Sequence, residues 1–146
     1  MGTTALFAGT FDPFTLGHDA IVRRALAMFG SVVVAVGRNI GKECMLGPDE
    51  RSAAIEAIYK DDDRVRVVVY DNLTMDFARE VGATVLVRGV RSVSDFEYER
   101  NIADVNMLVG GIDTVLLVSE PRYAAISSSV VRELMKFGKD VSEFLP

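Results

Sequence analysis

The chain has 146 residues, 49% of them hydrophobic and 25% charged, the composition of an ordinary globular domain and the length of a single one, 1–146. Lys and Arg number 16 against 21 Asp and Glu, a net charge of −5, which argues against general nucleic-acid binding because that affinity comes mostly from neutralising phosphates. One cysteine, Cys44, excludes an intrachain disulfide, and no basic leader or apolar run near ~18 residues points to secretion or a membrane, so a cytoplasmic protein is expected.

Short β-branched runs alternate with helical patterns along the chain. Residues 5–8, 32–36, 65–70, 85–87 and 115–118 are almost continuously apolar, as strands are when helices cover both faces of a parallel sheet. Between the first two, Ile21, Ala25 and Met28 form the stripe of a helix opened by Gly17 and His18. Pro48 with Asp49 and Glu50 starts a second helix that buries Ile55 and Ile58. Thr74 is placed to cap a third, closed by Gly82. Ser94 and Glu97 have capping-box spacing for a fourth, whose apolar side is Phe96, Ile102 and Val105. Ser127–Ser129 open a fifth through Val130, Val131, Leu134 and Met135, ended by Gly138. The pattern predicts an α/β fold with a single doubly wound parallel sheet. Ligands of such sheets bind beyond the carboxyl ends of the strands, so the loops there carry the chemistry.

Four of those loops stand out. In GTFDPFTLGH, Gly9 allows close backbone approach, and Gly17 and His18 begin a helix whose free N–H groups favour an anion. Thr10 adds a hydroxyl. His18 is the only histidine in the chain; neither the dinucleotide fingerprint nor a Walker P-loop is present. In RGVR, Gly89 lets the chain turn so that Arg88 and Arg91 aim at one site. Together with Lys42 they form a basic cluster in an acidic protein, suited to polyanions; a solvated basic turn is the plainer alternative. ISSS, residues 126–129, is either an N-cap with polar neighbours or an anion site, and the residues alone leave both open. DFEYE, residues 95–99, places acids in the first turns of a helix, which the helix dipole also favours without any function.

These motifs, in order and across nearly the whole chain, resemble the T/H-x-G-H nucleotidyltransferases, in the form carried by bacterial phosphopantetheine adenylyltransferases. The resemblance implies a Rossmann-like nucleotidyltransferase fold and transfer of AMP from ATP to 4′-phosphopantetheine. It gives His18 the stabilisation of the transition state and makes Lys42 and Arg91 catalytic partners. It places the acceptor's phosphate on Lys42 and Arg88, with Thr10 touching both substrates. The pantetheine arm then falls to Leu73, Thr74, Ile102, Asn106 and Glu133. On the ATP side it adds Gly9, Phe11, Gly17, Gly89, Val90 and Glu99. Tyr123, Ile126 and Ser127 follow, with Ser128 and Ser129 on the β- and γ-phosphates. It also implies Mg²⁺ carried by ATP, a hexamer, and feedback binding of CoA. Position 74 is Thr where many members carry an apolar residue. Two rivals remain at this point: AMP transfer to nicotinate or nicotinamide mononucleotide, and an ATP-binding regulatory domain without catalysis.

Overall fold

A computed structural model describes residues 2–38, 41 and 43–146. The chain runs β1 (Thr4–Gly9), α1 (Leu16–Met28), β2 (Ser31–Gly37), α2 (Pro48–Ile58), β3 (Val65–Tyr70), α3 (Thr74–Glu80), β4 (Val85–Val90), α4 (Val93–Gly110), β5 (Asp113–Val118) and α5 (Ser128–Lys136). The five strands form one sheet in the order β3-β2-β1-β4-β5, every neighbouring pair parallel. This is the expected doubly wound sheet. β1 lies at its centre, and the order reverses between β1 and β4, where a crevice opens for ligands.

Alternation along each strand explains the unbroken apolar runs. Ala5, Phe7, Val32, Val34, Val85 and Val87 face α1 and α2, packing on Ile21, Val22, Ala25, Ile55 and Tyr59. Leu6, Ala8, Val33, Ala35 and Leu86 face the other way, under Phe77 and Ala78 of α3. With both faces covered, the central strands β1 and β2 are apolar almost throughout.

Several boundaries differ from the sequence pattern. β4 does not stop at Val87: Arg88, Gly89 and Val90 continue its ladder with Leu116, Leu117 and Val118 of β5. Gly89 therefore makes no turn. Its missing Cβ admits Ile21 of α1, whose side-chain carbons would lie 3.2 Å from one. At α4 the cap is Ser92, whose hydroxyl accepts from the Asp95 amide at 3.2 Å, and Ser94 already lies inside the helix. Leu73 precedes α3 without a side-chain cap, and the Thr74 hydroxyl instead meets the Tyr70 hydroxyl at 2.9 Å. On α5 only Val131 is buried, while Val130 and Met135 are exposed.

The largest departure is α4. Its expected apolar side, Phe96, Ile102 and Val105, is exposed, and its buried residues are Glu99 and Asn106. Seven positions apart, these two share one face of the helix. A helix that buries polar groups and exposes apolar ones is serving a site on its inner side.

Candidate active site

The loop after β1 builds the first wall. Gly9 is still strand, and the Phe11 ring stands 3.0 Å from where its Cβ would be. What glycine supplies here is room for a ring. Phe11 has a φ of 55°, rare for a bulky residue, and is held by edge contacts to Phe7, Phe14 and His18 with centroids 5.1, 5.3 and 5.1 Å away. α1 begins at Leu16, with Thr15 as its N-cap.

His18 closes a capping box on that cap. The Thr15 backbone N–H donates to His18 Nδ1 at 2.9 Å, and the His18 amide donates to the Thr15 hydroxyl at 3.4 Å. An Nδ1 that accepts carries no proton, so the neutral ring holds its hydrogen on Nε2. Burial, reinforced by the nearby Arg88 and Arg91 charges, lowers the ring's pKa to about 3. At neutral pH His18 is thus an uncharged N–H donor of fixed tautomer.

The second wall comes from β4 and α4. Arg88 donates through Nε and Nη2 to both oxygens of Glu99 at 2.8 Å each, and through Nη1 to the Ala8 carbonyl. The guanidinium is thereby fixed edge-on to a buried carboxylate. Arg91, just past the strand, is held by Asp95: its amide and Nε reach Asp95 Oδ2 at 3.0 and 3.2 Å.

The third wall is the start of α5. Ser127 caps it, accepting from the Val130 amide at 3.1 Å. Ser128 donates to the Pro13 carbonyl at 2.7 Å, and Ser129 accepts from Arg132, whose other nitrogen reaches the Asp12 carbonyl at 2.7 Å. All three hydroxyls expected to face an anion therefore have a partner within the fold, and Ser128 spends its proton on one. The first backbone N–H groups of the helix remain as its anion donors.

These walls enclose two cavities. One, of 320 Å³, is lined by Phe11, Gly17, His18, Gly89, Arg91, Tyr123, Ile126 and Ser127–Ser129. The other, of 390 Å³, runs along the opposite sheet face past Leu73, Thr74, Ile102 and Asn106, down to Leu86 and Thr114. The Thr114 hydroxyl there is buried without a hydrogen-bond partner. Gly9, Thr10, Arg88 and Glu99 line both, so the cavities meet at one junction. Two expected residues fall elsewhere. Val90 is buried in β4, its carbonyl taken by the Ser119 amide, and Glu133 is exposed on α5; neither lines a cavity. Lys42 lies outside the described residues.

Residues 6–134 match the model of the cytidylyltransferase-like family. Among curated proteins, the phosphopantetheine adenylyltransferase of Phocaeicola vulgatus is 51% identical over 142 residues, covering 97% of this chain and 94% of its own. That of Porphyromonas gingivalis is 52% identical over 142 residues, covering 97% of this chain and 93% of its own. The chain belongs to the phosphopantetheine adenylyltransferase family. More distant structures share the fold. A bifunctional NMN adenylyltransferase/ADP ribose pyrophosphatase from Francisella tularensis superposes with a TM-score of 0.73 at 17% identity, over 99% of this chain and 45% of its own. A putative nicotinate-nucleotide adenylyltransferase from Vibrio parahaemolyticus gives 0.66 at 22% identity, over 99% of this chain and 94% of its own.

Within this member of the phosphopantetheine adenylyltransferase family, sequence reasoning missed Thr15, Asp95 and Tyr70. Thr15 and His18, three apart, carried the signal of a capping box with histidine in the acidic position. The sequence marks Asp95 as a helix-start acid, and its spacing four residues after Arg91 is the signal for the contact the two make. Tyr70 ended an apolar run and looked like core; its ring does stack on Phe77 at 4.9 Å, but its hydroxyl meets Thr74 in the larger cavity.

Proposed function

We propose that the protein transfers AMP from ATP to 4′-phosphopantetheine, forming dephospho-CoA and pyrophosphate. The observation that carries this reading is the junction: two cavities of different character share Gly9, Thr10, Arg88 and Glu99. A larger, mostly apolar channel suits a long acceptor arm, with its phosphate at Arg88 and Thr10. The smaller cavity offers His18, Arg91 and a helix start to a triphosphate. An oxygen of the acceptor's phosphate attacks the α-phosphorus of ATP. The new P–O bond forms as the α–β bridging P–O bond breaks, and pyrophosphate departs with that electron pair on the opposite side. The nucleophile is already anionic, so placement and charge neutralisation supply the catalysis and no general base is needed. The His18 Nε2–H meets the charge growing on the α-phosphate oxygens, as a neutral donor that needs no proton from solution.

In this proposal Arg91 and the α5 amides grip the leaving pyrophosphate, and Leu73, Thr74, Ile102 and Asn106 line the arm. Lys42 joins Arg88 at the acceptor phosphate on resemblance alone. Mg²⁺ enters on ATP as part of the substrate, held by phosphate oxygens and water. The carboxylates near the junction are already engaged, Glu99 by Arg88 and Asp95 by Arg91. Among the described residues no cluster of three His, Cys, Asp or Glu is placed to hold a metal.

A homohexamer and a cytoplasmic location belong to the same proposal. Val93, Leu108 and Val109 on α4 are 76%, 86% and 68% exposed, an apolar face that further copies of the chain would cover. Sedimentation is expected to give a particle of several chains; a 15.9 kDa monomer at micromolar concentration would remove the assembly from the proposal. Pyrophosphate release from Mg-ATP tests the reaction, with 4′-phosphopantetheine beside nicotinate and nicotinamide mononucleotides. Release with phosphopantetheine alone is expected. Release only with a mononucleotide overturns the acceptor assignment, and ATP binding without release under any acceptor overturns catalysis.

A further inference from the structure

Two buried charges take no part in the reaction as described. Asp12 is 3% exposed and Arg51, in the first turn of α2, is 2% exposed. Among the described residues, neither makes an ion pair. Each binds backbone instead. The Asp12 carboxylate accepts from the amides of Met45 and Leu46 at 2.7 and 3.0 Å. Arg51 donates through Nε to the Leu46 carbonyl at 3.0 Å, and through Nη1 to the carbonyls of Thr10 at 2.6 Å and Gly37 at 3.1 Å. Leu46 is gripped on both sides, its N–H by one charge and its C=O by the other.

Burying a charge is costly, and a similar-sized apolar side chain often stabilises a core as well or better. A charge kept at such a place holds geometry that packing alone would not fix. Here the geometry is that of Thr10, which lines both cavities at their junction. Three segments converge on one planar guanidinium: the loop after β1, the end of β2, and the residues leading into α2. The fork can serve carbonyls lying in different directions in its plane; a lysine ammonium on a shorter reach cannot serve the same set.

We propose that Arg51 and Asp12 are positioning residues that strap the loop after β1 to the residues ahead of α2, and so hold Thr10 in register between the two substrates. This inference rests on the proposed AMP transfer. Arg51 lines neither cavity, and Asp12 lines the smaller one with its carboxylate taken by the Met45 and Leu46 amides, so both act through the backbone. A displacement of about 1 Å at such a junction is enough to cost about 100-fold in rate.

The test compares wild type with Arg51→Lys, Arg51→Met and Asp12→Asn in steady-state pyrophosphate release with Mg-ATP and 4′-phosphopantetheine. ATP binding by calorimetry, thermal unfolding and backbone hydrogen exchange accompany it. Arg51→Lys and Asp12→Asn are expected to stay folded and to bind ATP within about twofold of wild type while kcat falls by about 10- to 100-fold. Arg51→Met leaves three carbonyls without a donor and should lose more; if it does not fold, the two conservative variants carry the test. A kcat at the wild-type level in both conservative variants overturns the proposal. So does a loss of kcat no larger than the loss of folded protein. Wild type that releases no pyrophosphate sinks the AMP-transfer reading instead. The strap is then judged by exchange at residues 10–15 and 45–47, which should quicken in Arg51→Lys with the sheet unchanged; unchanged exchange overturns it.

Discussion

His18→Ala is expected to lower kcat by about 10²- to 10³-fold, the usual cost of removing one preorganised donor from a developing oxyanion. The same substitution deletes half of a capping box, since the Thr15 amide loses its acceptor at Nδ1. His18→Gln separates the two effects, because glutamine suits that helix position and can accept from the Thr15 amide. It should restore the melting temperature while kcat stays at least about 10-fold down. A near-wild-type kcat in His18→Ala would remove the ring from the transition state. The protonation state can be followed directly, because the chain contains a single histidine. The folded pKa is about 3 against 6.5 for an ordinary histidine. The ring's nuclear magnetic resonances should therefore hold steady from pH 8 to pH 5, where a free histidine would titrate. A pKa depressed by folding means that the unfolded chain binds the proton more tightly. Stability tied to His18 is present above pH 6.5 and is lost as pH falls toward 3.

Arg88→Met should have the second-largest effect, in two separable parts. The substitution strands the Glu99 carboxylate, whose side chain is only 7% exposed, and breaking a buried pair from one side costs about 3–5 kcal/mol. It also removes the cation at the junction, so kcat/KM for the acceptor should fall on the order of 100-fold or more. Adding Glu99→Gln removes the stranded charge. The double variant Arg88→Met/Glu99→Gln is expected to regain most of the lost stability, measured by urea unfolding, and none of the acceptor affinity. If the acceptor's KM recovered together with stability, Arg88 would be a purely structural group. Glu99 holds Arg88 through both carboxylate oxygens and lines both cavities.

The sheet was legible because parallel strands covered on both faces write their apolarity into successive positions, as residues 32–36 do. The ligand-facing end of the sheet was legible from Gly9, His18, Arg88 and Ser127, residue types that punctuate strand ends and helix starts and bind anions. On α4 the apolar positions are real but border a cavity instead of a core: Ile102 and Val105 line the larger cavity together with Glu99 and Asn106. A stripe of Phe96, Ile102 and Val105 looks the same in sequence whether it meets a core or solvent, and only the sheet decides that Glu99 and Asn106 turn inward. β4 was shortened because Arg88 and Gly89 read as a loop, yet ladder bonds with β5 carry the strand through both. Arg51 gave no signal at all. Its partners are carbonyls, which every residue has, so nothing in its neighbours' identities marks the position.

The junction has a consequence for the end of the catalytic cycle. In the proposed reaction each substrate occupies one cavity and is held at one end of the site. In the proposed reaction, the dephospho-CoA formed is a single molecule tethered in both cavities, with Thr10 and Arg88 at the midpoint of its chain. Once one half lets go, the other keeps it at a high effective concentration beside the vacated half, and rebinding outpaces escape. The joined product is therefore expected to dissociate more slowly than either substrate does alone. Product departure is then expected to limit turnover in the proposed reaction, with the product acting as a bivalent ligand of its own enzyme.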